Sequence, residues 1–495
     1  MYKDIALSQL DELLQQSATA CMQYRNMPLS ARAQLMKSIA AELEACGDAL
    51  IKLAMEETHL PEARLRNERQ RTIYQLHSYA DACLRGQWMD IRIDTAIPDK
   101  MPPRPDIRKM MQALGPVAVF GASNFPFAYS TAGGDTACAL AAGCSVVVKA
   151  HPAHAGTSQM VADAVNRAVQ KCKMPAGVFT HIHGADPSIG EALVKHPLIK
   201  AVGFTGSFAG GQQLFLWGSQ RQEPIPVFAE MGSVNPVFLL PQKLSASASE
   251  LAHSMAASIT MGVGQFCTNP GIMVGIQSEA LSRFTDALRN NIEAGTDALM
   301  LHGGIASGYA THSAAALAQQ GVSIAAMQST RSQSYDSHLS AHAIIATTTA
   351  ENFIQNPLLR QEVFGPFSLL VQCRDMAQMI QVAEVMDGQL TATVMTTVEE
   401  AAANKNLLEL LQQKCGRFIL NAVPTGVEVC LSMQHGGPYP ATTDSRFTSV
   451  GADGIKRFAR PVAFQNWPDE LLPDALKQAN PLQLWRTIND VPGVH

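Results

Sequence analysis

Three side chains of unlike chemistry stand in glycine-rich turns of this chain. Cys267 lies in Gly264-Gln265-Phe266-Cys267-Thr268-Asn269-Pro270, Glu230 in Phe228-Ala229-Glu230-Met231-Gly232, and Asn124 in Gly121-Ala122-Ser123-Asn124-Phe125-Pro126. A thiolate, a carboxylate base and a carboxamide donor are the groups needed to oxidise an aldehyde through a thioester. The thiolate adds to the carbonyl, a hydride departs, and activated water releases the acid. Most cysteines are small buried hydrophobes, and that reading serves for nine of the ten here. Cys267 differs because Gly262, Gly264, Pro270 and Gly271 surround it, and such punctuation suits a loop that presents its sulfur. Glu230 follows Val227, Phe228 and Ala229, so partial burial is expected to raise its pKa towards the range of a working base. Asn124 alone reads as an ordinary turn asparagine; with the other two it becomes an oxyanion donor.

A nucleotide site is expected beside them. No GxGxxG occurs, but Gly203-Phe204-Thr205-Gly206-Ser207-Phe208-Ala209-Gly210-Gly211 is a strand, a glycine turn and a helix start. Gly206, Ser207 and Gly210 are thus candidates to hold a pyrophosphate at a helix N-terminus. Lys149 ends the strand Val146-Val147-Val148 and can reach ribose hydroxyls or phosphate, while Glu362 and Phe364, in Gln361-Glu362-Val363-Phe364-Gly365-Pro366, can meet the nicotinamide ribose and ring.

These residues need a scaffold. At 495 residues the chain calls for more than one core. Hydrophobic residues at 47% and charged ones at 16% exclude a disordered chain. A net charge of −5 argues against nucleic-acid binding by phosphate neutralisation. The N-terminus lacks the apolar core of a secretory signal, and no apolar run approaches a membrane span. Ten scattered cysteines without a CxxC fit a reducing cytoplasm. The 14 histidines form no HExxH or Cys/His cluster, so no metal is expected.

Apolar spacing predicts helices over Leu29–Leu53 and Arg64–Leu84. Short β-rich runs then alternate with helices. Strands are expected at 117–121, 146–149, 178–183, 201–205 and 227–229, with helices at 131–142, 156–172, 187–195 and 208–218. Such alternation implies a parallel sheet covered by helices, with ligands at its carboxyl edge. A second alternating region starts near Asn235, with helices at 250–261, 279–292, 376–386 and 401–415 and strands at 272–276 and 367–371. The stretch 303–337 is expected to be a surface helix with loops.

The order asparagine, lysine, Gly-Phe-Thr-Gly-Ser, glutamate, cysteine, Glu-x-Phe-Gly-Pro resembles the aldehyde dehydrogenase superfamily from about Leu29 to about Trp467. Within it the chain is most similar to the 2,5-dioxovalerate (α-ketoglutaric semialdehyde) dehydrogenase branch. That likeness is carried by Ala132-Gly133-Gly134-Asp135-Thr136-Ala137, by Lys149-Ala150-His151-Pro152-Ala153-His154 and by His435-Gly436-Gly437-Pro438-Tyr439-Pro440.

The resemblance implies an α/β fold. A Rossmann-like NAD(P)-binding domain would take residues 1–105 and 113–233, and a catalytic α/β domain 234–430. A small β-ribbon oligomerisation element would take 106–112 and 458–468, with strands Asp106–Met111 and Arg460–Asn466. Residues 431–457 would return to the cofactor domain and 469–495 form a tail. It also implies a homodimer or homotetramer, a small aldehyde substrate, and no nucleic-acid or membrane partner. The family's glutamate at the adenosine ribose is Pro152 here. With Lys149 and His151 beside it, NADP is expected at least as readily as NAD. The expected substrate is 2,5-dioxopentanoate, its carboxylate met by Arg446 or Arg417. Alternatives are another semialdehyde, a long-chain aldehyde, transfer of the thioester to coenzyme A, or an inactive binding protein on the same fold.

Overall fold

The computed structural model describes residues 2–329, 336 and 338–494. Four helices come first: α1 (Leu7–Tyr24), α2 (Leu29–Ala45), α3 (Gly47–Thr58) and α4 (Glu62–Arg85). The single helix expected over 29–53 is two, because the chain turns at Gly47, whose φ is +57°, a backbone region that glycine enters freely. The strands β1 (Arg92–Asp94) and β2 (Ile107–Ala113) follow.

Then comes strict alternation: β3 (Val117–Phe120), α5 (Gly134–Ala142), β4 (Val146–Lys149), α6 (Ala155–Lys171), β5 (Phe179–Ile182), α7 (Pro187–Lys195), β6 (Ala201–Thr205), α8 (Phe208–Ser219) and β7 (Val227–Glu230). These five strands form a parallel sheet in the order β5-β4-β3-β6-β7. Side chains of β3 and β4 such as Val117, Val119, Val146 and Val148 pack on the N-terminal helices. Ala118, Val147 and Val202 pack on the other face with α7 and α8. A strand covered on both faces reads as a continuous apolar run. The order reverses at β3, so a crevice opens beyond its carboxyl end, where Asn124 sits.

The second region contains β8 (Val237–Leu239), α9 (Pro241–Thr260), β9 (Ile272–Ile276), α10 (Glu279–Glu293), β10 (Ala298–Leu299), α11 (Gly303–Leu317), β11 (Ser323–Met327), β12 (Ser340–Ala341), β13 (Ile344–Thr349), α12 (Ala350–Gln355), β14 (Phe367–Cys373), α13 (Met376–Val385), β15 (Gln389–Met395), α14 (Val398–Ala403), α15 (Lys405–Lys414) and β16 (Cys415–Leu420). Its seven-stranded sheet runs β11-β13-β14-β9-β8-β15-β16 and is parallel except for β11 on β13. The strand β11 was not foreseen in the stretch expected to be helix and loops. As an edge strand it alternates poorly, with Ile324 and Met327 exposed. Residues 330–335 and 337 of that stretch lie outside the described residues.

Strand β17 (Ala459–Gln465) pairs antiparallel with β2 over its whole length. The two-stranded ribbon is part of a larger sheet, β17-β2-β1-β18-β19. Its last strands, β18 (Arg486–Ile488) and β19 (Val491–Gly493), come from residues read as a tail. Among the described residues no helix is long and apolar enough to cross a membrane.

Candidate active site

The carboxyl edge of the five-stranded sheet meets the amino edge of the seven-stranded one. Asn124 leaves β3, Lys149 ends β4, Gly206 follows β6 and Glu230 ends β7. Cys267 and Glu362 come from the other side, in the loops that lead into β9 and β14. Asn124, His151, Gly206, Ser207, Gly210, Glu230, Cys267, Glu362 and Phe364 line one cavity of about 430 Å³. Lys149 and Pro152 are not part of its lining.

The cysteine loop is held under strain. Gly262, Val263 and Gly264 all have positive φ, +54°, +58° and +64°. For a β-branched valine this is an outlier of the kind stored at functional sites. A Cβ on Gly264 would run into the backbone of Gly365 and Pro366, so only glycine lets the two loops touch. Asn235 clamps the loop from beneath: its Nδ2 donates to the carbonyls of Cys267 (2.8 Å) and Asn269 (3.0 Å). Asn269 Nδ2 in turn donates to the Gly365 carbonyl at 3.1 Å.

Around the sulfur the geometry is tight. The ligand-type atoms of Glu230, Cys267 and His435 all lie within 4.8 Å of one another. His435 Nε2 is 3.5 Å from Cys267 Sγ and 2.9 Å from Glu230 Oε1, and its side chain is fully buried. Ser449 Oγ donates to Glu230 Oε2. The segment that carries both partners is stitched to β7, with Met231 N donating to Ala441 O (2.8 Å) and Thr443 N to Ala229 O (3.1 Å).

The expectation that burial raises the Glu230 pKa is corrected here. Burial does push the carboxyl up, but the adjacent His435, with hydrogen bonds from His435, Ser449 and Cys267, more than offsets it. The group is held below its ordinary value, since each of these partners favours the anion. Cys267 responds in the opposite sense. Burial, and next the charge of Glu230, hold its thiol well above the ordinary value. The pair therefore rests as a carboxylate beside a thiol. Glu362 differs: burial raises its carboxyl to about 7, opposed by the bond it accepts from Ser233 N.

Asn124 Nδ2 donates to the Gln265 carbonyl at 3.1 Å, and Arg64 Nη2 donates to the Asn124 carbonyl at 2.7 Å. The first bond fixes the carboxamide next to the cysteine loop with a second N–H to offer, and the second, to the main chain, holds its turn. Gly206 and Ser207 begin α8 at an exposed position, where Ser207 Oγ accepts from Gly210 N at 3.2 Å. A Cβ on Gly206 would strike the Phe204 ring at 2.6 Å. This open helix start fits a pyrophosphate.

At the far end, His151 Nδ1 accepts from Ala153 N (3.2 Å) and His302 Nδ1 from Gly304 N (3.2 Å). The two rings lie 6.2 Å apart. Burial, then His154, His302 and Lys149, depress the His151 pKa to about 3; burial and then Asp4 act on Lys149, lowering it overall. Where the family glutamate is Pro152, Glu57 of α3 reaches in and accepts from Gly156 N (2.8 Å) and Thr157 N (2.7 Å) at the start of α6.

Of the two arginines expected to meet a carboxylate, Arg446 does not face the cavity. Its side chain is 79% exposed and forks onto Asp444. A short Asp-x-Arg loop satisfies the guanidinium locally. Arg417 is half-buried, donating to the carbonyls of Gly426 (2.7 Å) and Pro424 (2.5 Å). Sequence reasoning missed His435, although it stands in the quoted His-Gly-Gly-Pro run. It also missed Arg64, Glu68 and Arg71, whose spacing puts them on one face of α4.

A family model described as "Aldehyde dehydrogenase family" matches residues 2–457. Alpha-ketoglutaric semialdehyde dehydrogenase 2 of Azospirillum brasilense is 46% identical over 464 residues, 94% of this chain and 88% of the relative. Alpha-ketoglutaric semialdehyde dehydrogenase of Acinetobacter baylyi (strain ATCC 33305 / BD413 / ADP1) is 43% identical over 492 residues, 99% of this chain and 93% of that one. In fold, the methylmalonate-semialdehyde dehydrogenase of Oceanimonas doudoroffii superposes with a TM-score of 0.79 at 18% identity, covering 94% of this chain and 92% of the other.

Proposed function

The chain belongs to the aldehyde dehydrogenase family, and on that premise we propose that it oxidises 2,5-dioxopentanoate to 2-oxoglutarate through a thioester at Cys267. The observation that carries the chemistry is the contact of Cys267, Glu230 and His435 within 4.8 Å. The substrate rests on the two relatives above 40% identity, each named for α-ketoglutaric semialdehyde.

The thiol proton passes to Glu230, the carboxylate in reach of Sγ, and from it to solvent, so that Glu230 is an anion again before the hydrolytic step. Once ionised, Sγ attacks the aldehyde carbon, and the developing oxyanion accepts from Asn124 Nδ2 and the Cys267 backbone N–H. NAD(P), when bound, takes up the hydride that leaves this carbon. Glu230 then removes a proton from water, the hydroxide adds to the thioester, and the Cys267 thiolate departs with release of the carboxylic acid. Gly206, Ser207 and Gly210 would hold the pyrophosphate, Glu362 the nicotinamide ribose, and Phe364 would pack beside the ring.

The same reading takes NADP at least as well as NAD, because Pro152 presents no carboxylate and Lys149 and His151 stand nearby. Glu57 is the counterweight at this end. The three ligand-type atoms also have the make-up of a metal site, but a thiolate held by a metal is withdrawn from attack, so the reading uses none. A homodimer or dimer of dimers is favoured by unpaired strand edges, two of which bear on assembly. One is β17; the other is β16, where Phe418 is 41% and Leu420 59% exposed. Sedimentation returning only a 53.2 kDa species at micromolar concentration would refute that assembly.

The test of function is reduction of NADP or NAD by the purified protein with 2,5-dioxopentanoate, glutarate semialdehyde and decanal. Turnover that vanishes in Cys267→Ala and is greatest with 2,5-dioxopentanoate is expected. A strong preference for decanal would overturn the substrate, and an active Cys267→Ala the mechanism.

A further inference from the structure

On the thioester reading, the oxyanion takes its two donors from different sheets. Asn124 follows β3 of the five-stranded sheet, and the Cys267 N–H precedes β9 of the seven-stranded one. The spacing of the two donors is therefore a tertiary matter, and a group outside either loop can set it. Helix α4 offers three side chains at i, i+4 and i+7, on one of its faces. Arg64 Nη2 donates to the Asn124 carbonyl at 2.7 Å. Glu68 Oε1 accepts from Phe127 N (2.8 Å) and Ala128 N (3.0 Å). Arg71 Nη2 donates to the Tyr129 hydroxyl at 3.0 Å. The turn 124–129 is thus gripped along its whole length by one helix.

Of these three, Arg64 also reaches the cysteine loop. Its guanidinium lies 4.6 Å from the centroid of Phe266, the residue before Cys267. It lies 5.2 Å from that of Phe125, the residue after Asn124. The two rings meet edge to face with their centroids 5.4 Å apart. Arg64 Nη1 comes so near Gly262 that a Cβ there would fall 2.5 Å from it. Arg64 Nε and Nη1 are buried and have no acceptor among the described residues. The rings are the partners of that side of the cation, a favourable arrangement for a planar guanidinium. One rigid group therefore bonds the turn that carries Asn124 and lies over the loop that carries Cys267.

We propose that Arg64 is a positioning residue that sets the distance between Asn124 Nδ2 and the Cys267 N–H. It is not part of the lining of the catalytic cavity, so it acts through the two donors and not on the substrate. The inference rests on the reading of Asn124 as an oxyanion donor and extends it to a residue 60 positions upstream. Donors aimed at a developing oxyanion lose their value steeply when they are displaced.

The test separates reactions that form an oxyanion from one that does not. Acylation of Cys267 by p-nitrophenyl acetate, followed as release of p-nitrophenolate, needs the thiolate and the oxyanion donors but no cofactor. In Arg64→Met it should fall roughly 10- to 100-fold. Alkylation by iodoacetamide forms no oxyanion and should keep its wild-type rate, which also shows that the variant folds. Aldehyde oxidation should lose kcat with KM little changed. Arg64→Lys retains a donor for the Asn124 carbonyl and should recover part of the acylation rate. Asn124→Ala should cost roughly 10²- to 10³-fold in acylation, and adding Arg64→Met to it should cost little more, since both act through one amide. Losses that add in the double variant, or equal loss of acylation and alkylation in Arg64→Met, overturn the inference. A full acylation rate in Arg64→Met beside a crippled Asn124→Ala sinks the inference and keeps the oxyanion reading. A full rate in Asn124→Ala sinks both. Should Arg64→Met not fold, Arg64→Lys carries the same cycle: its partial loss should vanish on the Asn124→Ala background, and a loss that persists there overturns the inference.

Discussion

Glu230→Gln should slow turnover and at the same time make Cys267 more reactive. The amide keeps the shape of the side chain and loses its charge. As the base for thioester hydrolysis, Glu230 is worth roughly 10²- to 10⁴-fold in that step. Its charge also restrains the thiol, since after burial it is the largest influence holding Cys267 above its ordinary pKa. The interacting atoms are within 4.8 Å, and Coulomb's law at an effective dielectric of about 20 gives roughly 3 kcal/mol across that distance. Removing it is expected to speed alkylation by iodoacetamide at neutral pH by roughly ten- to a hundredfold. Stopped-flow absorbance should show a burst of reduced cofactor, close to one equivalent per active site, followed by slow turnover. The two measurements move in opposite directions, which mere misfolding does not produce. A variant with no burst and a poorly alkylated Cys267 would show that Glu230 serves thiol attack. A fully active variant would move the base elsewhere, and Glu362, with its carboxyl near 7, would be the first place to look.

His435→Asn removes the strongest of the partners that keep Glu230 below its ordinary pKa. Burial then prevails, so the acid limb of the kcat–pH profile should move to higher pH; an unmoved limb would exclude His435 from the site's proton balance. Glu57→Gln neutralises the carboxylate at the start of α6, and the ratio of kcat/KM for NADP to that for NAD should rise; an unchanged ratio would show that Glu57 is only a helix cap. Glu362 should make stability fall as pH rises. Its folded pKa of about 7 exceeds the ordinary 4.5, so its contribution is complete below that lower value and is lost as pH climbs through 7. The span is up to roughly 3 kcal/mol, less to the extent that cavity water reaches the carboxylate. Thermal melts from pH 4 to pH 8 should show a shallower decline in Glu362→Gln, and parallel curves would refute the assignment.

The amino-acid sequence by itself determined the architecture and singled out the candidate reacting groups. Local signals suffice for these: Val-rich runs between amphipathic stretches can only be strands buried on two faces. Pro187, Ser207 and Gly206 mark helix starts within a residue or two of where they fall. Cys267 stood out because its glycines and prolines make no sense in a core. Errors arose where local and tertiary forces disagree. The edge strand β11 lacks a buried face to imprint a period-two pattern, and β18 owes its form to pairing with β1 some 400 residues away, with β19 pairing on β18 in turn. Only the tertiary structure decided the electrostatics. Burial alone gives the wrong sign for Glu230, because His435 and Ser449 arrive from a segment some 200 residues on. A pKa depends on the sum of charges and dipoles within a few ångströms, and sequence distance carries no information about that sum.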